Sequence, residues 1–562
     1  MPTATNRIHP PENERPGLTQ SYWPADTTYE IRDITLGGLL REAAAAVPDR
    51  IAVVDAVADR SARRSWTYAE FLADAERAAR ALLARFEVGD RVAIMAPNSA
   101  DWIVLQHGIS LAGMIVVTLN PAYRAREIEY ILRQSRAAGI VHVDTYRGLD
   151  IRVTIDEVRS DLPHLEHVIS FSDWEQLLDS GSPGQQLPTV HPDDPFQIQY
   201  TSGTTGFPKG ALLHHKGLVN QAALVAERAG MRDGGVNINA MPLYHIGGGV
   251  VCPFGALSKH GTFVVLPAFD PALMLEAVET YRGTHTLLVP TMIIALLEHP
   301  HRVSTDLSSL QTILTGAANV PAALIRRTIT TLGCHTSILF GQTEMHGNIS
   351  QTHLDDTPED QSETVGRPLP HLEIKIADPG SGDVLPLGER GEICCRSYQN
   401  MIEYFDMPDA TGACIDADGW LHMGDLGSMD ERGFIRVTGR LKDMVIRGGL
   451  NIYPREIEEL LTTHPAVADA AVVGIPDDKW GEQLAAVIRI PAGIEQPMAE
   501  ELRSFCRANL SAHKTPAYWS FVTEFPLTPT GKIQKYVLQD RLRNGEIPKT
   551  TAQGQAHRPA HK

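Results

Sequence analysis

Between residues 67 and 143 the chain switches repeatedly between two hydrophobic periods, and this alternation restricts the fold more than any other feature. Residues 67 to 86 put Phe71, Ala75, Ala79, Leu82 and Leu83 on one helical face, and the run Val92 to Met95 reads as a buried strand. A helical pattern over 101 to 112, an apolar strand at Met114 to Thr118, a helix over 125 to 136 and a strand at Gly139 to Val143 continue the series. Strands separated by helices in this way predict an α/β unit with parallel strands and right-handed crossovers.

The alternation resumes between Tyr200 and Phe340, with strands expected at Thr262 to Leu266, His285 to Pro290 and Thr312 to Thr315. From about Val365 to Val437 the texture changes to short strand-like runs with Gly, Pro and Asp turns, which predicts a small β-rich subdomain. After Gly439 a compact α+β pattern follows. Pro454 stands at a first helical position, Ile457, Leu460 and Leu461 share a face, and Ala470 to Val473 reads as a strand. From about Glu546 the Lys, Thr, Gln and His content predicts a disordered tail.

Composition excludes several classes. A length of 562 residues corresponds to several compact units. Fifty Lys and Arg against 68 Asp and Glu give a net charge of −18, which repels phosphate backbones and argues against broad nucleic-acid binding. No apolar run is long enough for a membrane helix, Leu287 to Leu297 being too short, so no membrane span is expected. The N-terminal stretch lacks an apolar signal core, which makes a cytoplasmic location the expectation. Six cysteines without a C-x-x-C pair suggest neither a disulfide framework nor a zinc site. His299 and His301 flank Pro300 at a helix end and read as solvent-facing, as does the pair His214 and His215.

The sharpest local feature is YTSGTTGFPKG at 200 to 210, a small, hydroxyl-rich, Gly-rich loop after the FQIQ stretch. Such a loop exposes backbone N–H groups and hydroxyls with little bulk, as a polyphosphate requires of its cradle. It is not a Walker A loop, because Phe207 and Pro208 follow Gly206. Six further segments follow in order: PLYHIGGG (242 to 249), LTGAANVP (314 to 321), FGQTE (340 to 344), GWLHMGDLG (419 to 427), GRLKDMVIRGGLNIYPREIE (439 to 458) and PLTPTGKIQK (526 to 535).

From about residue 35 to 540 this ordered set resembles the adenylate-forming superfamily of acyl-CoA synthetases, firefly luciferase and nonribosomal adenylation domains. The resemblance implies a large N-terminal domain of stacked α/β subdomains with a small β-barrel-like subdomain, followed by a small mobile α+β domain. The corresponding bounds are 1–439, with the β-rich part at about 365–437, then 440–545 and a tail at 546–562. It also implies two steps: a carboxylate attacks the α-phosphorus of MgATP, and a thiol, usually coenzyme A, then displaces AMP from the acyl adenylate.

By the same resemblance Thr201, Ser202, Gly203, Thr204, Thr205 and Gly206 hold the β- and γ-phosphates, with Lys209 supplying charge and Gln342 also in the ATP site. Thr343 would contact the α-phosphate and Glu344 would hold Mg²⁺, a hard cation suited to carboxylate oxygen. Asp425 and Arg440 are expected at the ribose, Lys532 at the bridging oxygens during adenylation, and Lys442 at the domain pivot. Gly448 and Gly449 would line the coenzyme A channel, and His245 would gate it. The acyl pocket would draw on Tyr244, Gly249, Gly316, Ala317, Gly341, Met345, His346 and Gly347.

Many relatives place small or apolar residues after that Glu, whereas here His346 and Asn348 stand there, which favours a short, polar or aromatic acid. A carrier-protein phosphopantetheine as acceptor and ATP-dependent activation of nitrite are the alternative uses of the same machinery.

Overall fold

The computed structural model describes residues 17–201, 208–316, 320–448, 450–477, 479–491, 493–527 and 533–551, with the backbone of 556–557. Its contacts divide the chain into two units, one comprising 1–375, 394–422 and 430–435, the other 376–393, 423–429 and 436–562.

The predicted alternation is present in the first unit. Thr67 caps the helix Tyr68–Leu83 through a reciprocal capping box with Glu70, which satisfies two of the amides that a helix start leaves unpaired. That helix buries Phe71, Ala75, Ala78, Ala79 and Leu82. Its alanines admit the neighbouring helix Ala100–Leu111 so closely that a Cβ on Gly108 would lie 2.6 Å from Ala78 Cβ. Alternating with helices along the chain are the parallel strands Arg91–Met95, Ile115–Leu119 and Gly139–His142, in register Val92 to Val116 and Val92 to Gly139.

These strands belong to a seven-stranded sheet in the order Glu403–Tyr404, Lys209–His214, Pro195–Thr201, Ile115–Leu119, Arg91–Met95, Gly139–His142, His167–Ser170. Pairing is parallel except at the end formed by Glu403–Tyr404 and the hairpin. Met95, Val117, Leu119, Ile131 and Ile140 form part of one core on this sheet. Each fully buried side chain of this type contributes about 1.5–3 kcal/mol. A nine-stranded sheet includes the parallel run Val236–Asn239, His285–Leu287, Thr312–Gly316 and His335–Gln342, beyond which Gly347–Gln351 pairs antiparallel. The strands Tyr22–Trp23, Glu373–Ala377, Gly391–Arg396, Leu421–Met429 and Ile435–Arg440 form a further sheet.

In the second unit the strand Asp469–Asp477 pairs with Gly481–Arg489 and alternates its faces. Ala470 and Val472 meet Ile457, Leu461, Leu502 and Cys506, while Ala471, Val473 and Ile475 meet Leu538 and Leu542. One sheet is thereby covered on both sides by helices, with Pro454 at the first turn of Pro454–Thr462 as expected. The tail expected to be disordered from 546 begins too early. Ile547 is buried, and Lys549–Thr551 pairs with the strand Tyr518–Val522, because the apolar Ile547 and the β-branched Thr550 and Thr551 fit a half-buried strand. No helix among the described residues is long and apolar enough to cross a membrane.

Candidate active site

The hairpin of Pro195–Thr201 and Lys209–His214 sets Thr201 directly opposite Lys209. The expected phosphate cradle at Ser202, Gly203, Thr204, Thr205 and Gly206 lies outside the described residues. What the hairpin ends bring together is a polar cluster around Glu344. Thr201 Oγ1 is 3.5 Å from Glu344 Oε1, and Tyr404 donates its hydroxyl to the same oxygen at 2.7 Å. Lys209 Nζ stands 4.8 Å from the Tyr404 ring centroid, in cation–π range. Burial, reinforced by the Glu344 charge, holds the Tyr404 phenol well above its ordinary pKa, so it remains a donor.

Thr201, Lys209 and Glu344 were legible as motif residues, whereas Tyr404 was not. Its strand pairs antiparallel with Ala211–Leu212 beside Lys209, and its N–H donates to Thr411 Oγ1 at 2.9 Å. A single Tyr in a turn-rich stretch carries no periodic signal; only the edge pairing assigns it to the site.

Glu344 sits in the short 3-10 turn Thr343–Met345 between the strands His335–Gln342 and Gly347–Gln351. Gly341 is required there, since a Cβ would lie 2.0 Å from the Gly347 carbonyl. Gln342 and Thr343 are half-buried, and Glu344, Met345, His346 and Gly347 are buried. His346 adopts a left-handed φ of 57° and is held on both ring nitrogens. Nε2 accepts the His214 N–H at 2.9 Å and Nδ1 donates to the Gln399 carbonyl at 2.7 Å. Burial, and secondarily His214, keep the His346 ring neutral, with a pKa well below 6.5. Gln399, also missed from sequence, donates to the Met345 and Asn348 carbonyls at 3.1 Å each.

The expectation that His214 and His215 face solvent fails. His214 Nδ1 accepts the Gly217 N–H at 3.0 Å, capping the helix His215–Arg228, and His215 stacks on Phe196 with centroids 4.6 Å apart. The strand-to-helix junction buries both rings because each completes a contact that the junction leaves open.

The PLYHIGGG segment folds back upon itself. A Cβ on Gly248 would lie 2.4 Å from the Pro242 carbonyl and one on Gly249 2.0 Å from that of Leu243, so only glycine permits the return. Buried amides fix it from outside. Gln199 donates to the Tyr244 carbonyl at 2.7 Å, Gln106 to that of Gly249 at 3.1 Å, and Asn98 bridges Met241 and Leu243. Tyr244 and His245 are half-buried with rings 4.9 Å apart. Gly316 is likewise demanded by a close approach, 2.3 Å from a would-be Cβ to the Leu339 carbonyl; Ala317 lies outside the described residues.

In the second unit Asp425 pairs with Arg440 at 3.2 Å, the carboxylate largely buried and the Arg side chain 45% exposed. Lys442 is exposed in the turn Leu441–Asp443. Gly448 has φ 60°, and a Cβ there would meet the Trp480 ring at 2.7 Å, so turn geometry and close approach both select glycine. Gly449 and Lys532 lie outside the described residues.

The chain belongs to the AMP-binding enzyme family: the model of that family matches residues 40–405, and the AMP-binding enzyme C-terminal domain matches 456–532. Over 542 residues it is 38% identical to the putative acyl-CoA synthetase YngI of Bacillus subtilis (strain 168), covering 91% of this chain and 98% of that protein. The mitochondrial medium-chain acyl-CoA ligase ACSF2 of Homo sapiens is 34% identical, covering 93% and 90%. The crystal structure of ATP-bound MatB from Rhodopseudomonas palustris superposes with a TM-score of 0.82 at 29% identity, covering 91% of this chain and 99% of that one. The fold is that of the adenylate-forming enzymes.

Proposed function

We propose that the protein is an AMP-forming carboxylic acid:CoA ligase. A carboxylate oxygen attacks the α-phosphorus of ATP and pyrophosphate leaves; the thiol of coenzyme A then attacks the acyl carbon, loses its proton and expels AMP. The observation that carries this reading is the convergence of Thr201, Lys209 and Glu344 at the ends of the strands Pro195–Thr201 and Lys209–His214, in a chain of this family.

Charge accumulates on phosphate oxygens during the first step, so positive groups and oriented donors stabilise its transition state. Lys209 provides charge, Thr343 a hydroxyl for the α-phosphate, and Lys532 an ammonium for the bridging oxygens. Asp425 accepts from the ribose hydroxyls and Arg440 flanks the same sugar. Glu344 suits Mg²⁺: Tyr404 and Thr201 approach one oxygen, while the other takes no hydrogen bond from a described residue. A bound Mg²⁺ would neutralise phosphate charge.

Between the steps a C-terminal domain beginning at about 440 turns about Lys442 and brings Gly448 and Gly449 to the adenylate, with His245 gating the thiol path. Similarity to a ligase named for medium-chain acids supports an acid of medium chain length. The test is a panel of carboxylic acids, with nitrite included, assayed for pyrophosphate release with and without coenzyme A. Acid-dependent release that coenzyme A accelerates supports the ligase. Acid-dependent release indifferent to coenzyme A points to a carrier-protein acceptor, and release with nitrite alone to nitrite activation.

A further inference from the structure

The helix His215–Arg228 buries several polar side chains, and they differ in how they are satisfied. Asn220 accepts the Arg32 N–H and donates to the Arg32 and Lys216 carbonyls. Arg228, two turns further along, reaches the carbonyls of Gln351, Arg367 and Pro368 at 3.2, 2.7 and 3.0 Å. Those groups hold the structure together. Gln221 lies between them, is 0% exposed, and neither its Oε1 nor its Nε2 has a hydrogen-bond partner among the described residues. A primary amide buried in this state loses the hydrogen bonds it had in water without replacing them.

Its surroundings show what the amide faces. On the same helical face Gly217 packs on the His346 ring, where a Cβ would lie 2.5 Å from the ring carbon, and Gln221, one turn later, packs on Gly347. A Cβ on Gly347 would stand 3.0 Å from Gln221 Oε1 and 3.2 Å from Nε2. Gly347 has a φ of 132°, which disfavours any side chain, and the Gln221 amide packs directly on this backbone position with no side chain between them. The His346 nitrogens are both engaged by backbone groups and offer nothing to a ligand. Among the described residues Gln221 offers both an unused donor and an unused acceptor beside this turn.

We infer that Gln221 is a specificity-determining residue that recognises a hydrogen-bonding group on the acid, such as a hydroxyl, carbonyl or ring heteroatom remote from the carboxylate. This rests on the ligase reading and deepens it by naming the substrate class. A purely alkyl acid would leave the amide unmet in the complex as in the free protein, whereas a polar acid would satisfy it on binding. A site built to hydrogen-bond a substrate hydroxyl discriminates strongly against the analogue that lacks it.

The experiment compares matched acids, hexanoate with 6-hydroxyhexanoate and benzoate with its hydroxybenzoates, in wild type and Gln221→Leu. Wild type is expected to favour at least one hydroxylated member over its parent by about tenfold or more in kcat/KM, and Gln221→Leu to lose or invert that preference while still turning over the parent acid. The same ratio in both proteins overturns the inference. A second measurement is independent of turnover: thermal unfolding without ligand. An unmet amide replaced by an apolar side chain of similar shape leaves the Tm unchanged or raised, whereas a marked fall shows that a resident partner already satisfies Gln221 and also overturns it. If no carboxylate in the panel yields pyrophosphate, the ligase reading fails, and the Tm comparison still decides whether Gln221 is unmet.

Discussion

The Glu344 turn and the Asp425–Arg440–Lys442 segment are both rich in motif residues, yet they are built in opposite ways. In the first, carboxylate, imidazole and amide are buried and bound to backbone or to one another, and glycines at 341 and 347 allow strands to touch. In the second, Arg440 and Lys442 are exposed, and Arg440 pairs with Asp425 at 3.2 Å. A carboxylate that orders a metal and phosphates needs fixed geometry, because misplacement weakens every electrostatic interaction it makes. A pivot needs freedom. Substitutions in the first region should therefore disturb stability together with chemistry, and those in the second chemistry alone.

The largest expected effect comes from acid. His107, His215 and His285 are lowered by burial to about 4, about 3 and about 4, His214 is lowered too, and His346 lies well below 6.5; all five belong to the first unit. Unfolded rings take up a proton near pH 6.5 and folded ones only at lower pH, so between the two values the unfolded state binds more protons. The stability these neutral side chains give is complete above about pH 6.5 and falls by about 1.4 kcal/mol per pH unit for each ring below it. Asp469 in the second unit is raised by burial and works in the opposite direction. Pulse proteolysis between pH 7.5 and 5, with fragments mapped by mass spectrometry, should show the first unit losing protection before the second. Simultaneous loss would erase the contrast between the two regions.

The same contrast explains what could be read in advance. The helices and strands from 67 to 143 were legible because each has a clean hydrophobic period, and Thr201, Lys209 and Glu344 because they stand in short ordered motifs. Tyr404 and Gln399 escaped because they act from a distant stretch of turns: strand pairing and backbone carbonyls bring them to Glu344 and His346. His346 was legible as a polar residue, but sequence does not say which polar atoms a backbone will engage. In this turn the engaged imidazole and the unengaged Gln221 amide are one helix contact apart.

Next in size is Lys532→Ala, which should lower acid-dependent pyrophosphate release by about 10²–10³-fold, as removal of one well-placed charge-stabilising group typically does. Thioester formation from a supplied acyl adenylate should be spared and the Tm unchanged. Equal loss in both half-reactions would remove Lys532 from the first step.

A smaller loss is expected for Tyr404→Phe, which keeps the ring beneath Lys209 and removes only the hydroxyl on Glu344. A hydrogen bond to a charged group contributes about 1.5–3 kcal/mol, so adenylation at subsaturating Mg²⁺ should fall by roughly tenfold or more and recover in part at high Mg²⁺. The Tm should fall too, since a buried carboxylate loses a donor. An unchanged Mg²⁺ dependence would separate Tyr404 from metal binding.

Arg440→Gln should show the least in stability and mark the other end of the comparison. Its partner Asp425 is largely buried, which by itself would favour a strong pair, but the Arg side chain is 45% exposed, with its Nε 3.2 Å from the carboxylate. Solvent screening and the entropy of holding a long side chain reduce such pairs to about 0–1 kcal/mol. Gln can still donate toward Asp425, so unfolding by urea should shift its midpoint only slightly. If Arg440 serves the ribose, the KM for ATP should rise while the unfolding free energy stays within about 1 kcal/mol of wild type. A loss of several kcal/mol would show that the pair braces the fold, and the segment would then resemble the Glu344 turn, leaving the difference between a fixed site and a free pivot without support.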